Sequence, residues 1–356
     1  MEAKFLRNAW YVAAWGEEIT RNLFSRQILG ESVLMYRKED GTPVAMSNVC
    51  PHRMAPLDHG VLRGDVVECR YHGLQFDCTG QCVKNPHPAG NGPIPPRAKL
   101  TTYPVVEKWG AIWIWMGDKT PDLSLMPDFS WIDEKDKYRE IHGMCPVKAH
   151  YELIADNVLD LTHLPYLHAG GLGNEPENLY NEQVENIQDG NTYWCKRSSK
   201  NVNASPDFQN FNPALKGVKC DKANAVRWNA PGHVAIIPTY WLAGTDKEQL
   251  TLINISTMMT PASENLTWQF WSLARNFYLD SDQMDVIMRK AAAVGLEKED
   301  VEMIEWQHKN MGTTDIFSLP LAALPGDVTP NRVRRALRKM IEDEQRELAE
   351  QSHRAA

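Results

Sequence analysis

The chain has 356 residues, enough for two or three domain-sized units or for two with one enlarged. Hydrophobic residues make up 43% and charged residues 24%, the ordinary balance of a soluble globular protein. A net charge of −8 excludes a general nucleic-acid binder, because no surplus of Lys and Arg is present to neutralise phosphates.

No segment approaches the roughly 18 apolar residues that span a bilayer. The apolar run near the N-terminus is cut short by Glu17 and Glu18 and lacks the shape of a signal peptide, so a cytoplasmic location is expected. Seven cysteines is an odd count, and paired Cys and His in such a chain point to metal sites before disulfides.

In chain order, residues 1 to about 118 read as β-rich. Arg26–Tyr36 runs into the turn residues Glu39-Asp40-Gly41, and Pro43–Asn48 returns as its hairpin partner. Asp65–Cys69, Leu74–Asp77, Gln81–Val83 and Thr102–Met116 are further strand candidates, punctuated by Gly73, Gly80 and the proline-rich stretch Pro86–Pro96. Gly117–Tyr138 is rich in Asp, Pro and Lys and reads as a linker or covering loop. Beyond it, Tyr151–Leu164 reads as a helix. Thr192–Ser198, Ala225–Asn229, His233–Pro238, Thr251–Thr260 and Leu266–Ala274 read as strands of a sizeable sheet. Asp282–Asn310 and Thr329–Gln351 read as long helices. The basic run Arg332–Lys339 is balanced by acidic residues from Glu342 to Glu350, as on one solvated helix. There is no GxGxxG and no phosphate-binding loop, so a built-in nucleotide site is not expected.

Two short clips stand out. Cys50-Pro51-His52 is followed, after sixteen residues, by Cys69-Arg70-Tyr71-His72. Two Cys and two His can hold a structural zinc or a Rieske [2Fe–2S] cluster, in which two histidines replace two cysteines on one iron. Zinc fingers usually pair Cys with Cys and His with His. Here each clip mixes one of each, which lets Cys50 and Cys69 take one iron and His52 and His72 the other. Cys78 and Cys82 are expected to be packed residues, and Cys145, Cys195 and Cys220 ordinary buried thiols.

A second constellation lies at Asn157-x-x-Asp160-x-x-His163-x-x-x-x-His168. Asn157, Asp160 and His163 form one drifting stripe on a helix, while His168 falls about 140° from His163 on an undisturbed one. A break at Pro165 would let His168 swing back toward His163. Two imidazoles and a carboxylate make the facial triad of non-haem Fe(II) sites. The bland alternative is two histidines near a helix end, where the macrodipole favours them. For the carboxylate, Asp300 has Ala293, Leu296, Met303 and Ile304 as helical same-face neighbours, so it points into an apolar stripe where an unpaired charge is costly. Glu297 is nearly as well placed, and periodicity does not decide between them.

Together these residues resemble the oxygenase component of the Rieske non-haem iron oxygenases, and look most like the vanillate and dicamba O-demethylase oxygenases. The likeness includes Phe5-Leu6-Arg7-Asn8-Ala9-Trp10-Tyr11-Val12-Ala13, the segment from Asn157 to His168, Ala274-Arg275-Asn276-Phe277 and Glu299-Asp300. It implies an α+β fold, with a β-rich Rieske domain over residues 1–118 and a catalytic domain over residues 119–356. The latter would be a helix-grip (START-like) antiparallel sheet with flanking helices. It implies that Cys50, His52, Cys69 and His72 hold the cluster. His163, His168 and Asp300 would hold a mononuclear Fe(II), and Asn157 would sit near it. Asp160 would bridge to a cluster histidine, His72, of a neighbouring subunit in a homotrimer. Electrons from NAD(P)H would arrive through a separate reductase carrying flavin and a plant-type cluster, and O₂ would be the co-substrate.

The expected reaction is oxidative O-demethylation of a methoxylated aromatic acid. Hydroxylation of an aromatic ring or methyl group by the same class of enzyme is the runner-up. An electron carrier fused to a non-catalytic ligand-binding domain, and a colourless zinc-stabilised binding protein, are readings of a different class. An acidic substrate needs a cation or hydrogen-bond donors in its pocket, for which His233, Trp241 and Asn254 on the predicted sheet are candidates.

Overall fold

The computed structural model describes residues 4–245 and 250–355. Two compact units emerge. One comprises Arg7–Met126 with Thr260–Ser263. The other comprises the residues before Arg7, Pro127–Met259, and the residues from Glu264 on.

The first unit is built of short strands. They are β1 (Trp10–Trp15), β2 (Phe24–Ile28), β3 (Glu31–Arg37), β4 (Pro43–Ser47), β5 (Val61–Arg63), β6 (Val66–Glu68), β7 (Gln75–Phe76), β8 (Cys82–Lys84), β9 (Thr102–Tyr103), β10 (Val105–Lys108) and β11 (Ala111–Trp115). They form three sheets, ordered β1-β11-β10, β2-β3-β4-β9 and β5-β6-β7-β8. β1 was not foreseen. Its WYVAAW sequence is buried throughout, so it shows no alternation to announce a strand.

The stretch Arg26–Tyr36, expected as one strand, is a hairpin. Leu29 and Gly30 both take positive φ, 50° and 84°, and return the chain so that Ile28 faces Glu31. Thr102–Met116 is broken in the same way at Trp109-Gly110, with φ 53° and 72° between the paired Lys108 and Ala111. In each turn only the glycine is a sequence signal, and one glycine is easily absorbed into a strand reading. The expected β3–β4 hairpin is present, with Tyr36 opposite Val44.

The second unit contains β12 (Arg139–Val147), α1 (Tyr151–Leu159), α2 (Leu164–Leu167), β13 (Gln183–Asp189), β14 (Thr192–Asn203), α3 (Pro206–Phe211), β15 (Lys219–Asn229), β16 (His233–Leu242), β17 (Thr251–Ser263), β18 (Leu266–Arg275), α4 (Asp282–Val294), α5 (Asp300–Met311) and α6 (Val328–Ala355). Its seven-stranded sheet runs β12-β18-β17-β16-β15-β14-β13, with antiparallel registers from β13 through β17 and between β12 and β18. With its flanking helices this is the α+β, helix-grip architecture expected.

β12 and β13 were missed, and both are edge strands. β13 is almost wholly exposed and therefore polar. β12 carries Pro146, which an edge strand tolerates, and Gly143, where a Cβ would lie 2.4 Å from the Trp271 indole. One face of the sheet packs with α3 and α4 in a core that includes Phe208, Phe211, Tyr240, Ile253, Trp271 and Met288.

Two helical expectations need correction. The helix from Tyr151 does not run to Leu164; it ends at Leu159. Asp160 leaves the helical region (φ −111°, ψ 94°), and its side chain accepts hydrogen bonds from the Thr162 backbone N–H at 3.1 Å and the Thr162 hydroxyl at 2.9 Å. The break therefore lies at Asp160 and not at Pro165. Proline instead occupies the first turn of α2, where its missing N–H costs nothing. The helix from Asp282 is continuous to Met311 but carries a π turn over Gly295–Glu299, closed by the Asp300 N–H on the Gly295 carbonyl. The wider turn shifts the phase of the buried stripe, so Ala292 and Ile304 are buried while Ala293 and Met303 are exposed. No helix among the described residues is long and apolar enough to cross a membrane.

Candidate metal centres and substrate cavity

The two clips lie at the ends of tight turns in the first unit. The Cys50 N–H donates to the Ala55 carbonyl at 2.9 Å, and the Cys69 N–H to the Leu74 carbonyl at 2.8 Å. Gly73 closes the second turn at φ 72°, a conformation that disfavours any side chain. Cys50 and Cys69 are buried in the core of this unit as free thiols, 1% and 2% exposed. Burial, and the neighbouring Cys69, push the Cys50 thiol up to about 11. The His52 and His72 rings meet edge to face, 4.5 Å between centroids, and the buried Nδ1 of His72 has no hydrogen-bond partner. Burial, and then His52 and Arg53, hold His72 below its ordinary pKa. Two buried thiols and an orphaned imidazole nitrogen are groups left wanting a metal.

The second centre is in the other unit. Among the described residues, His163, His168 and Asp300 are the one group of His, Cys, Asp and Glu side chains whose ligand atoms all lie within 4.8 Å of one another. Asp300 Oδ1 is 3.6 Å from His163 Nε2 and 3.1 Å from His168 Nε2, and it accepts a hydrogen bond from Asn157 Nδ2 at 2.9 Å. The other nitrogen of each ring is tethered. His163 Nδ1 is 2.7 Å from the Asp160 carbonyl oxygen, and His168 Nδ1 is 2.7 Å from Glu299 Oε2. A carbonyl can only accept, so the proton of His163 sits on Nδ1 and the lone pair of Nε2 faces Asp300.

Electrostatics follow the packing. Burial lowers the pKa of His163 in spite of Asp300. Burial also pulls on His168, but Asp300 and Glu299 outweigh it and the pKa is raised. One carboxylate and two imidazoles with their other nitrogens occupied form a donor set that fits a divalent cation with open positions.

Glu297 lies elsewhere. Its Oε1 accepts the Trp271 indole N–H at 3.0 Å. Asp160 is partly exposed, and besides Thr162 it faces Arg197, whose Nη1 is 3.6 Å away. Cys82, Cys145, Cys195 and Cys220 are buried as expected, and Cys78 packs half-buried against the core of the first unit.

The trio opens into a cavity with about 90 Å³ of water-accessible volume. Leu161, Leu164, Leu172, Phe208, Phe211, Ile236, Ile253, Ile255 and Met288 contribute apolar walls. Lys222, Asn224 and Tyr240 are the polar side chains that the sheet supplies.

His233, Trp241 and Asn254 do not line it. Trp241 and Asn254 stand one residue out of phase with the lining Tyr240, Ile253 and Ile255, so they face the other side of the sheet. Lys222 and Asn224 lie N-terminal to the strand expected from Ala225. Extending it backwards would have exposed them, since Cys220, Lys222, Asn224, Val226 and Trp228 share one parity and only two of the five are strongly polar.

Residues 9–104 match the Rieske [2Fe-2S] domain, and residues 147–343 match the Vanillate O-demethylase oxygenase C-terminal domain. The chain is 34% identical to the oxygenase component of dicamba O-demethylase from Stenotrophomonas maltophilia, covering 94% of this chain and 98% of that one. It is 34% identical to the iron-sulfur subunit TsaM1 of the toluene-4-sulfonate monooxygenase system of Comamonas testosteroni, covering 96% and 98%. The crystal structure of dicamba monooxygenase bound to 3,6-dichlorosalicylic acid superposes with a TM-score of 0.90 at 33% identity, covering 96% of this chain and 99% of that one.

The chain belongs to the oxygenase components of the Rieske non-haem iron oxygenases, in the branch defined by the vanillate O-demethylase C-terminal domain. It is an oxidoreductase that carries a Rieske [2Fe–2S] cluster and a non-haem iron, uses O₂, and takes NAD(P)H electrons through a reductase partner.

Proposed function

We propose that this oxygenase catalyses oxidative O-demethylation of a methoxylated aromatic acid, at the cavity walled by β15–β17 and floored by His163, His168 and Asp300. The observation that carries the reading is that closed constellation at the end of an apolar cavity. The dicamba relative points the same way: it is named an O-demethylase, and dicamba monooxygenase is solved with 3,6-dichlorosalicylic acid bound.

In this reading residues 1–118 hold the cluster through Cys50, His52, Cys69 and His72, and residues 119–356 hold the iron through His163, His168 and Asp300. The bound iron supplies the activation of O₂, so that one oxygen atom enters the methyl C–H bond and the other leaves as water. The oxygenated methyl ether then falls apart to a phenol and formaldehyde. The balance is ArOCH₃ + O₂ + 2e⁻ + 2H⁺ → ArOH + HCHO + H₂O. The chain's own residues supply geometry and dryness. The Asp160 carbonyl and Glu299 fix the two ring tautomers, Asn157 orients the Asp300 carboxylate, and the apolar walls keep water from competing for the site. Asp160 bridges to His72 of a neighbouring copy in a homotrimer, a flavin- and ferredoxin-type reductase supplies electrons, and the protein works in the cytoplasm.

Turnover of a panel of methoxy- and methylbenzoates with a surrogate reductase tests the reading. Formaldehyde in step with NADH consumption is expected. A benzylic alcohol or a ring diol as sole product would replace demethylation by hydroxylation. A chain holding about two Fe instead of about three, with no O₂ uptake, would reduce it to an electron carrier.

A further inference from the structure

The polar groups of the cavity fall into two sets. The helices contribute Asn157, His163, His168 and Asp300, all engaged with one another. The sheet contributes Lys222, Asn224 and Tyr240. Lys222 and Asn224 are two apart on β15 and therefore project to the same face, and Tyr240 is the cross-strand partner of Lys222 on β16.

Within this second set Lys222 and Tyr240 share one neutral acceptor, and Asn224 is left short of a partner. The Lys222 ammonium reaches Asn174 Oδ1 at 3.3 Å and lies 5.9 Å from the Tyr240 ring centroid, and among the described residues it has no carboxylate partner. Asn174 Oδ1 also accepts the Tyr240 hydroxyl at 2.8 Å, and the Asn174 amide is anchored to the Asn203 carbonyl at 2.5 Å. Asn174 thus positions both side chains. Asn224 is only 3% exposed, yet its carboxamide oxygen has no hydrogen-bond partner. Buried polar groups in folded proteins are paired in the great majority of cases. A half-buried cation and a buried amide with an unpaired oxygen, side by side in an otherwise apolar wall, are the signature of a ligand's polar end.

We infer that Lys222 and Asn224 form the specificity site for a singly charged oxyanion on the substrate ring, a carboxylate or a sulfonate, and that Asn174 and Tyr240 hold the lysine in place. The inference deepens the proposed function and rests on it for the identity of the cavity as the substrate site. Lys222 donates to the anion, and Asn224 turns its amide N–H toward the same group. The anion is thereby fixed on the sheet side, which sets the ring position that reaches the trio.

Binding to the holoenzyme under anaerobic conditions, read by calorimetry, tests this. The probes are 2-methoxybenzoate, 3,6-dichlorosalicylate and 4-toluenesulfonate, each beside its neutral carboxamide or sulfonamide. The wild type is expected to prefer the anions at least tenfold. Lys222→Gln should lose about tenfold or more for the anions with little change for the amides, and Lys222→Arg should restore most of the preference. An unchanged visible spectrum of the cluster serves as the check on folding. The carboxylate and sulfonate arms decide which oxyanion the site prefers.

Equal binding of acids and amides by the wild type, failure of every anion to bind, or equal weakening of acid and amide by Lys222→Gln would overturn the inference. Because binding is read apart from turnover, the anion site and the demethylation fail separately. Anion binding through Lys222 without formaldehyde from any methoxyarene sinks the demethylation alone. Formaldehyde from neutral methoxyarenes only sinks the anion site and the acidic nature of the substrate, and leaves demethylation standing.

Discussion

The His163 ring and the Asp160 backbone are joined by a hydrogen bond of 2.7 Å, Nδ1 to carbonyl oxygen. The same residue whose side chain ends α1 and starts the next turn thus presents its carbonyl to hold the imidazole. Its carboxylate is left partly exposed, beside Arg197.

This division of labour within Asp160 separates two variants. Asp160→Asn keeps a capping side chain and the backbone carbonyl, so both metals should stay bound, while steady-state turnover falls steeply if the carboxylate carries electrons between copies. Asp160→Ala should additionally cost about 1 kcal/mol through loss of the cap. Iron content and the cluster spectrum, measured beside turnover, check both. An Asn variant with full activity rules out the bridge.

Glu299 holds His168 Nδ1 at 2.7 Å from a position 131 residues further along the chain. Glu299→Gln keeps the size but removes the charge that supports the imidazole. Loss of such a partner costs about 10–100-fold in metal affinity. The mononuclear iron should leave correspondingly faster under a ferrous chelator, with the cluster untouched. Identical retention in variant and wild type would show that Glu299 does not support the ligand.

His150, at the start of α1, is buried, and burial, aided by Arg334 and His308, pulls its pKa down to about 3. An unfolded chain takes up the proton near pH 6.5 and the folded one only near 3. The stability that the neutral ring contributes is therefore intact above about 6.5 and is lost as pH falls through that window. His150→Gln, neutral throughout, should flatten the decline of the urea midpoint between pH 6.5 and 4. A slope equal to that of the wild type would place the acid sensitivity elsewhere.

Legibility in the sequence tracked the range of the interactions. Each clip is a local object, three or four residues of which two are a Cys and a His, so donor chemistry alone singled it out. The pair His163 and His168 was legible for the same reason, but the cause of their convergence was not. Pro165 is the conspicuous breaker, yet Asp160 breaks the helix, because a carboxylate that can cap a backbone N–H and a hydroxyl at once stabilises a new helical start there.

The sequence by itself determined the donor sets, the cofactor class and the alternation of the sheet, since these depend on residue type and short-range spacing. The tertiary structure decided between Asp300 and Glu297 as the partner of the two histidines, because a π turn at Gly295–Glu299 rotates the helix out of the 3.6-residue phase. It also decided which strand parity faces the cavity, and so moved the polar end of the pocket from His233, Trp241 and Asn254 to Lys222 and Asn224. One residue of register reverses the face of every side chain in a strand, and that register is set by pairing with distant strands.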